Sequence, residues 1–151
     1  MRATKSSIDS FLSSRKVAVA GVSRNPKKFG HIVFLKLKEK GFEVYPVNPE
    51  ADIIAGTPCF RSVGALPLNV HCLLIITPKK QARNLVAEAI AKGIDNIWIQ
   101  QMSETAEAIE VASAHPVNLI TKECILMHVD PVEGIHKVHR SIRRFFGLFP
   151  N

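Results

Sequence analysis

Val17-Ala18-Val19-Ala20-Gly21-Val22-Ser23-Arg24-Asn25-Pro26-Lys27-Lys28-Phe29-Gly30 is the stretch on which the reading of this chain turns. Small and β-branched apolar residues read as a buried strand over Lys16 to Val22, with Gly21 turning the backbone at its end. A polar, basic loop punctuated by Pro26 and Gly30 follows. Ile32, Leu35 and Leu37 then fall near helical spacing, which predicts a helix from Phe29 to Lys40. A strand, a glycine turn and a helix start, in that order, form the geometry by which α/β folds hold phosphate.

Working outward, the same alternation continues. Ser6-Ser7-Ile8-Asp9 reads as a capping box for a short first helix. Gly41 reads as a helix C-cap, Phe42 to Val47 as a strand, and Ile53 to Thr57 as a short edge strand. Val70 to Thr77 is nearly all apolar, as a strand covered on both faces should be. Pro78 opens a helix with Ala82, Leu85, Val86, Ala89 and Ile90 on one face, and Gly93 ends it. Ile97 to Gln100 is a further strand, a helix starts near Ser103, and Val117 to Ile120 is the last core strand. Pro131 to Phe146 reads as a final basic, amphipathic helix. This βαβ alternation predicts an α/β fold in three layers, with a mostly parallel sheet of five to six strands in one domain spanning 1–151.

The bulk composition narrows the class. The 151 residues are 46% hydrophobic and 22% charged, ordinary for a globular protein with a proper core. No apolar run approaches the roughly 20 residues needed to span a bilayer. Met1 to Ser7 lacks the apolar core of a signal peptide, so the expected location is the cytoplasm, with no membrane partner. Three cysteines without C-x-x-C or zinc-finger spacing argue against a disulfide framework. The formal charge of +7 favours an anionic partner without choosing among nucleotide, nucleic acid and membrane surface.

In parallel sheets of this kind a ligand lies outside the carboxyl ends of the strands, beside the first one. Gly21 to Gly30, Pro46 to Pro49, Thr77 to Lys80 and Gln100 to Ser103 are therefore the candidate positions. The first loop is not the dinucleotide fingerprint, because Ser23 stands where the second glycine belongs, and no Walker A motif occurs. A serine there still offers a hydroxyl to phosphate, and Lys27 and Lys28 offer point charges. The blander reading is a polar loop with solvated lysines. At the end of the second strand, Asn48 and Pro49 occupy the place of the acidic residue that grips ribose in NAD sites. Glu50 lies just beyond, so an NAD(P)-binding enzyme or redox sensor stays open as an alternative.

Val19 to Gly30, then Tyr45-Pro46-Val47-Asn48-Pro49, then Gly93 with Trp98-Ile99-Gln100, resemble the small stand-alone CoA-binding proteins. Those are similar to the CoA-binding domain of the succinyl-CoA synthetase α subunit, a Rossmann-like fold. The resemblance covers Ile8 to Cys124. It implies non-catalytic binding of coenzyme A or an acyl-CoA, a small-molecule nucleotide ligand. Pyrophosphate contacts would come from Gly21, Val22 and Ser23, and adenosine contacts from Val47, Asn48 and Pro49. Pantetheine would run past Thr77, Pro78 and Gln100. Lys27 or Lys28 would partner the 3′-phosphate or pyrophosphate, with Arg24 and Gly30 in the same loop. Met102 departs from the pattern, since many relatives carry glycine there. The segment from Glu123 onward extends beyond it.

The remaining features have simpler readings. His136 and His139 at i, i+3, with Cys124 and His128 before them, do not make a tight ligand cluster, so no metal site is assigned. Cys124 reads as a structural thiol, having no placed base. The helix bearing Lys137, Arg140, Arg143 and Arg144 suits nucleic acid as the lesser alternative, against a packed helix with a solvated basic face. The apolar ending Phe145 to Pro150 suits docking on the domain or on a second copy, a homodimer. The synthetase likeness brings no catalysis with it: that chemistry needs a phosphohistidine domain and an ATP-grasp partner, for which the chain lacks room.

Overall fold

The computed structural model describes residues 2–129. Its element order is α1 (Lys5–Ser13), β1 (Lys16–Ala20), α2 (Phe29–Glu39), β2 (Glu43–Val47), β3 (Ile53–Ile54), β4 (Thr57–Pro58), β5 (Cys72–Ile75), α3 (Lys79–Lys92), β6 (Asn96–Gln100), α4 (Ala106–Ser113) and β7 (Asn118–Glu123). Short 3-10 turns lie at Val63–Ala65 and Ile125–Met127. Five strands form one parallel sheet in the order β2-β1-β5-β6-β7. The result is an α/β, Rossmann-like arrangement.

The period-2 alternation of the strands sorts their side chains onto two faces. Val17, Val19, Cys72, Leu74 and Trp98 point to the face packed by Ile8 and Phe11 of α1 and Val33, Phe34 and Leu37 of α2. Ala18, Ala20, Leu73, Ile75, Ile97 and Ile99 point to the opposite face, under Ala82, Val86 and Ala89 of α3 and Ala108 and Ala112 of α4. Both faces are therefore covered, which explains why Val17–Ala20 of β1 and all of β5 are apolar rather than alternating with polar residues. Trp98 fills the first core edge-on to Phe11, 5.3 Å between centroids, and its indole N–H donates to the Glu123 carbonyl at 3.1 Å.

Several boundaries differ from the sequence expectation, each for a local reason. The cap of α1 is Thr4, whose hydroxyl accepts from the Ser7 N–H at 3.1 Å while the Ser7 hydroxyl takes the Thr4 N–H. The expected edge strand Ile53 to Thr57 is instead the hairpin β3–β4. Ala55 and Gly56 at its tip have φ of 48° and 74°, the two positive values of a type I′ turn. The helix expected near Ser103 starts at Ala106, because Thr105 caps it through the Ala108 N–H. Ser103 is buried and its own N–H donates to the Gln100 carbonyl. The last strand runs on to Glu123 rather than ending at Ile120. Met102 has φ +76° and is largely exposed, a backbone conformation in which a side chain is strained.

Among the described residues no helix is long and apolar enough to cross a membrane, and no group of three or more His, Cys, Asp or Glu could hold a metal ion. The basic helix expected at 131–146 and the apolar ending proposed as a dimer contact lie outside the described residues.

Candidate functional site

The crossovers leaving β1 run to opposite sides: α2 carries the chain to β2 on one flank, and the return to β5 lies on the other. The loops that follow β1 and β5 lead to helices on opposite faces of the sheet, α2 and α3, and the crevice between those loops is the switch point at which ligands bind in open α/β sheets. A cleft of about 520 Å³ opens there, walled by Gly21–Ser23, Val47–Glu50, Arg61–Val63 and Ile76–Pro78, with Gln81, Leu85 and Glu88 of α3.

Gly21 makes the cleft floor. Its φ of +100° favours glycine, and a Cβ at this position would stand 2.0 Å from the Ile76 carbonyl oxygen. The Gly21 N–H donates to Val47 O at 3.3 Å, and Ile76 N–H to Ala20 O at 2.8 Å, so the ends of β1, β2 and β5 converge on it. Gly30 serves the same close approach from below: a Cβ there would meet the Gly21 oxygen at 2.1 Å. These two glycines let the start of α2 sit directly under the turn.

The loop above is pinned by side chains. Asn48 Nδ2 donates to Val22 O at 2.9 Å, while Asn48 Oδ1 accepts the Glu50 N–H at 2.8 Å. His31 is buried and its Nδ1 lies 2.6 Å from Ser23 O; since a carbonyl only accepts, Nδ1 carries the proton. Ser23 Oγ accepts from Asn25 N–H at 3.0 Å, and Asn25 Oδ1 from Lys27 N–H at 3.0 Å. Pinned in this way, the loop leaves the N–H groups of Val22, Ser23 and Arg24 without an acceptor among the described residues. Both adjacent helices, α2 after Lys28 and α3 after Pro78, begin without a side-chain cap. Their first-turn donors add to the positive potential beside the cleft. In the wall, Thr77 is 8% exposed and its Oγ1 has no hydrogen-bond partner among the described residues.

At the far rim, Arg61 Nε donates to Asp52 Oδ1 and Nη1 to Pro49 O, both at 2.9 Å. The Arg61 hydrogen bond, and then its charge, hold the Asp52 carboxyl below the usual carboxylate range. A depressed carboxylate pKa means the clasp is complete above the ordinary value and is lost only as pH falls through the lowered one. Cys59 nearby is half-buried, and burial pushes its thiol pKa up, away from a reactive thiolate.

The cleft brings together eight of the residues expected to contact CoA, Gly21, Val22, Ser23, Val47, Asn48, Pro49, Thr77 and Pro78, together with Glu50. The others lie elsewhere. Arg24, Lys27 and Lys28 are exposed and do not line the cleft, and Gly30 is buried beneath the turn. Gln100 is 3% exposed, and its Oε1 accepts the Ile125 N–H at 3.1 Å, which ties it to the segment after β7. Cys124 is buried. Sequence reasoning passed over Arg61, Ser62 and the α3 residues Gln81 and Glu88, and placed Leu85 in the packed helix face alone. Arg61 reaches the cleft because the chain after β4 returns along β2, Phe60 N–H donating to Pro46 O and Asn48 N–H to Phe60 O. No periodicity announces such a return.

Comparison with known proteins agrees with this architecture. Residues 15–130 match the model of the CoA binding domain family. The α subunit of an ADP-forming acetate–CoA ligase II from Pyrococcus furiosus is 30% identical over 150 residues, covering 92% of this chain and 31% of that subunit. The chain thus spans about a third of the length of that relative. Small solved structures match along nearly their whole length. A conserved hypothetical protein from Pyrococcus furiosus superposes with a TM-score of 0.71 at 38% identity, over 74% of this chain and 96% of that one. A hypothetical protein from Pyrococcus horikoshii OT3 gives 0.78 at 27% identity, over 89% and 98%. None of these relatives supports the NAD alternative. With the glycine turn, the Asn48 clamp and the match running through most of its length, the chain belongs to the CoA binding domain family.

Proposed function

We propose that this chain binds coenzyme A or an acyl-CoA in the switch-point cleft, and does so as a binding module rather than a catalyst. The observation that carries the reading is the pair of backbone N–H groups at Val22 and Ser23, without acceptors among the described residues, in the lining of the cleft in a member of this family, with the equally unpaired Arg24 N–H next along the loop. Unpaired donors at a strand–helix turn suit the oxygens of a pyrophosphate. The Ser23 hydroxyl accepts from Asn25, so its own proton remains to be donated. Thr77 Oγ1 in the wall is a second donor without an acceptor among the described residues, and such a polar atom fits a polar ligand passing along it. The Val47–Pro49 turn supplies a stiff wall for the adenosine. What carries over from the ligase relative is the handling of CoA, and the ligase reaction is not assigned to this chain.

Thermal unfolding in the presence of CoA or NAD tests the proposal. A ligand that binds only the native state at tenfold excess over its Kd stabilises by about 1.4 kcal/mol. CoA is expected to raise Tm by a few degrees while NAD leaves it unchanged. A rise with NAD and none with CoA would reverse the assignment.

A further inference from the structure

We propose that Arg61 determines the specificity of this cleft, selecting an adenine nucleotide that carries a phosphate on its ribose over the same nucleotide without one. The inference rests on the CoA reading and names the part of the ligand that is recognised. In open α/β nucleotide sites the ribose lies at the carboxyl end of the strand that follows the glycine turn. An acidic residue there reads a free hydroxyl, and a nearby arginine accommodates a ribose phosphate. The corresponding end here is Asn48-Pro49-Glu50, and the Arg61 guanidinium is bonded to it through the Pro49 carbonyl.

Arg61 is the one basic side chain among the described residues lining the cleft. Its Nε and Nη1 bonds to Asp52 and Pro49 hold the planar group in place, and its remaining N–H donors have no acceptor among the described residues. A fork held before the ligand arrives loses little side-chain freedom on binding, and arginine suits phosphate geometrically. Its side chain is 58% exposed at the rim, so a ligand phosphate can reach it. The other polar groups beside it are neutral or of the wrong sign. Ser62 Oγ accepts from Ala65 N–H, and Glu50 lines the same rim with a negative charge. Without Arg61, a ribose phosphate would face Glu50 and Asp52 uncompensated. Lys27 and Lys28, the cations that the sequence brings forward first, lie outside the cleft lining.

Calorimetric titration of the full chain with CoA and with 3′-dephospho-CoA tests this, using the wild type, Arg61→Ala and Arg61→Lys. The wild type is expected to prefer CoA by about tenfold, the scale of a charge-assisted hydrogen bond. Arg61→Ala should abolish or invert the preference through loss of CoA affinity alone, while Arg61→Lys, keeping charge but not the fork, should retain part of it. Equal wild-type affinities would overturn the proposal and leave the CoA reading standing. So would an Arg61→Ala variant that weakens both ligands equally, since that marks a purely structural role. Binding of neither ligand would overturn both.

Discussion

Replacing Gly21 by alanine is expected to lower the unfolding free energy by about 3 kcal/mol or more, and to abolish CoA binding with it. Two costs add. The backbone at φ +100° disfavours any side chain, and the new Cβ would lie 2.0 Å from the Ile76 carbonyl oxygen. That oxygen belongs to backbone at the end of β5, whose own N–H is bonded to Ala20 O, so it cannot swing aside as a flexible side chain would. Gly93 separates the two costs. It also has positive φ, +87°, but nothing lies within 4 Å of its Cβ position. Gly93→Ala should therefore lose only the backbone component, about 1 kcal/mol. Urea unfolding of both variants checks the difference, and equal losses would mean that the packing of Gly21 against β5 is not what makes glycine necessary there.

Asn48→Ala is expected to cost about 2 kcal/mol of stability and to weaken CoA binding about tenfold. Asn48 spans two segments: its Nδ2 holds Val22 O and its Oδ1 holds the Glu50 N–H. Alanine leaves the Val22 carbonyl and the Glu50 amide without these partners and frees the loop that presents the Val22–Arg24 N–H groups. Asn48→Asp separates the halves of the clamp. A carboxylate keeps an acceptor for Glu50 but has no donor for Val22 O, so it should lose ligand affinity much as alanine does while losing less stability. Denaturant melts and calorimetric titration of the two variants give both quantities. An alanine variant that binds CoA normally would show that the loop holds its shape without the clamp.

These expectations indicate which parts of the molecule were written locally. The buried run Val17–Ala20, Gly21, the α3 face of Ala82, Val86 and Ala89, and the cap at Gly93 are short-range signals, and each appears in the fold where the pattern places it. The hairpin β3–β4 was blurred because the strands are two residues each, too short for any alternation. Within the cleft, the glycine turn and Asn48-Pro49 were legible as motifs. What Asn48 does was not, since its partner Val22 is 26 positions away. Placement of charge was the least legible. Lys27 and Lys28 stand beside the turn in sequence yet lie outside the cleft lining, whereas Arg61 enters through a chain return that pairs Phe60 with β2. Gln100 shows the same limit: a strand-end polar residue, it spends its oxygen on the Ile125 amide.

The central claim, that CoA lies with its pyrophosphate on the turn after β1, is tested most directly by amide chemical shifts of the labelled protein during titration with CoA. The N–H groups of Val22, Ser23 and Arg24, which have no acceptor among the described residues, should shift most, together with the Asn48 side-chain amide and Thr77. Saturable binding that leaves these signals in place, and moves a set remote from the cleft, would contradict it.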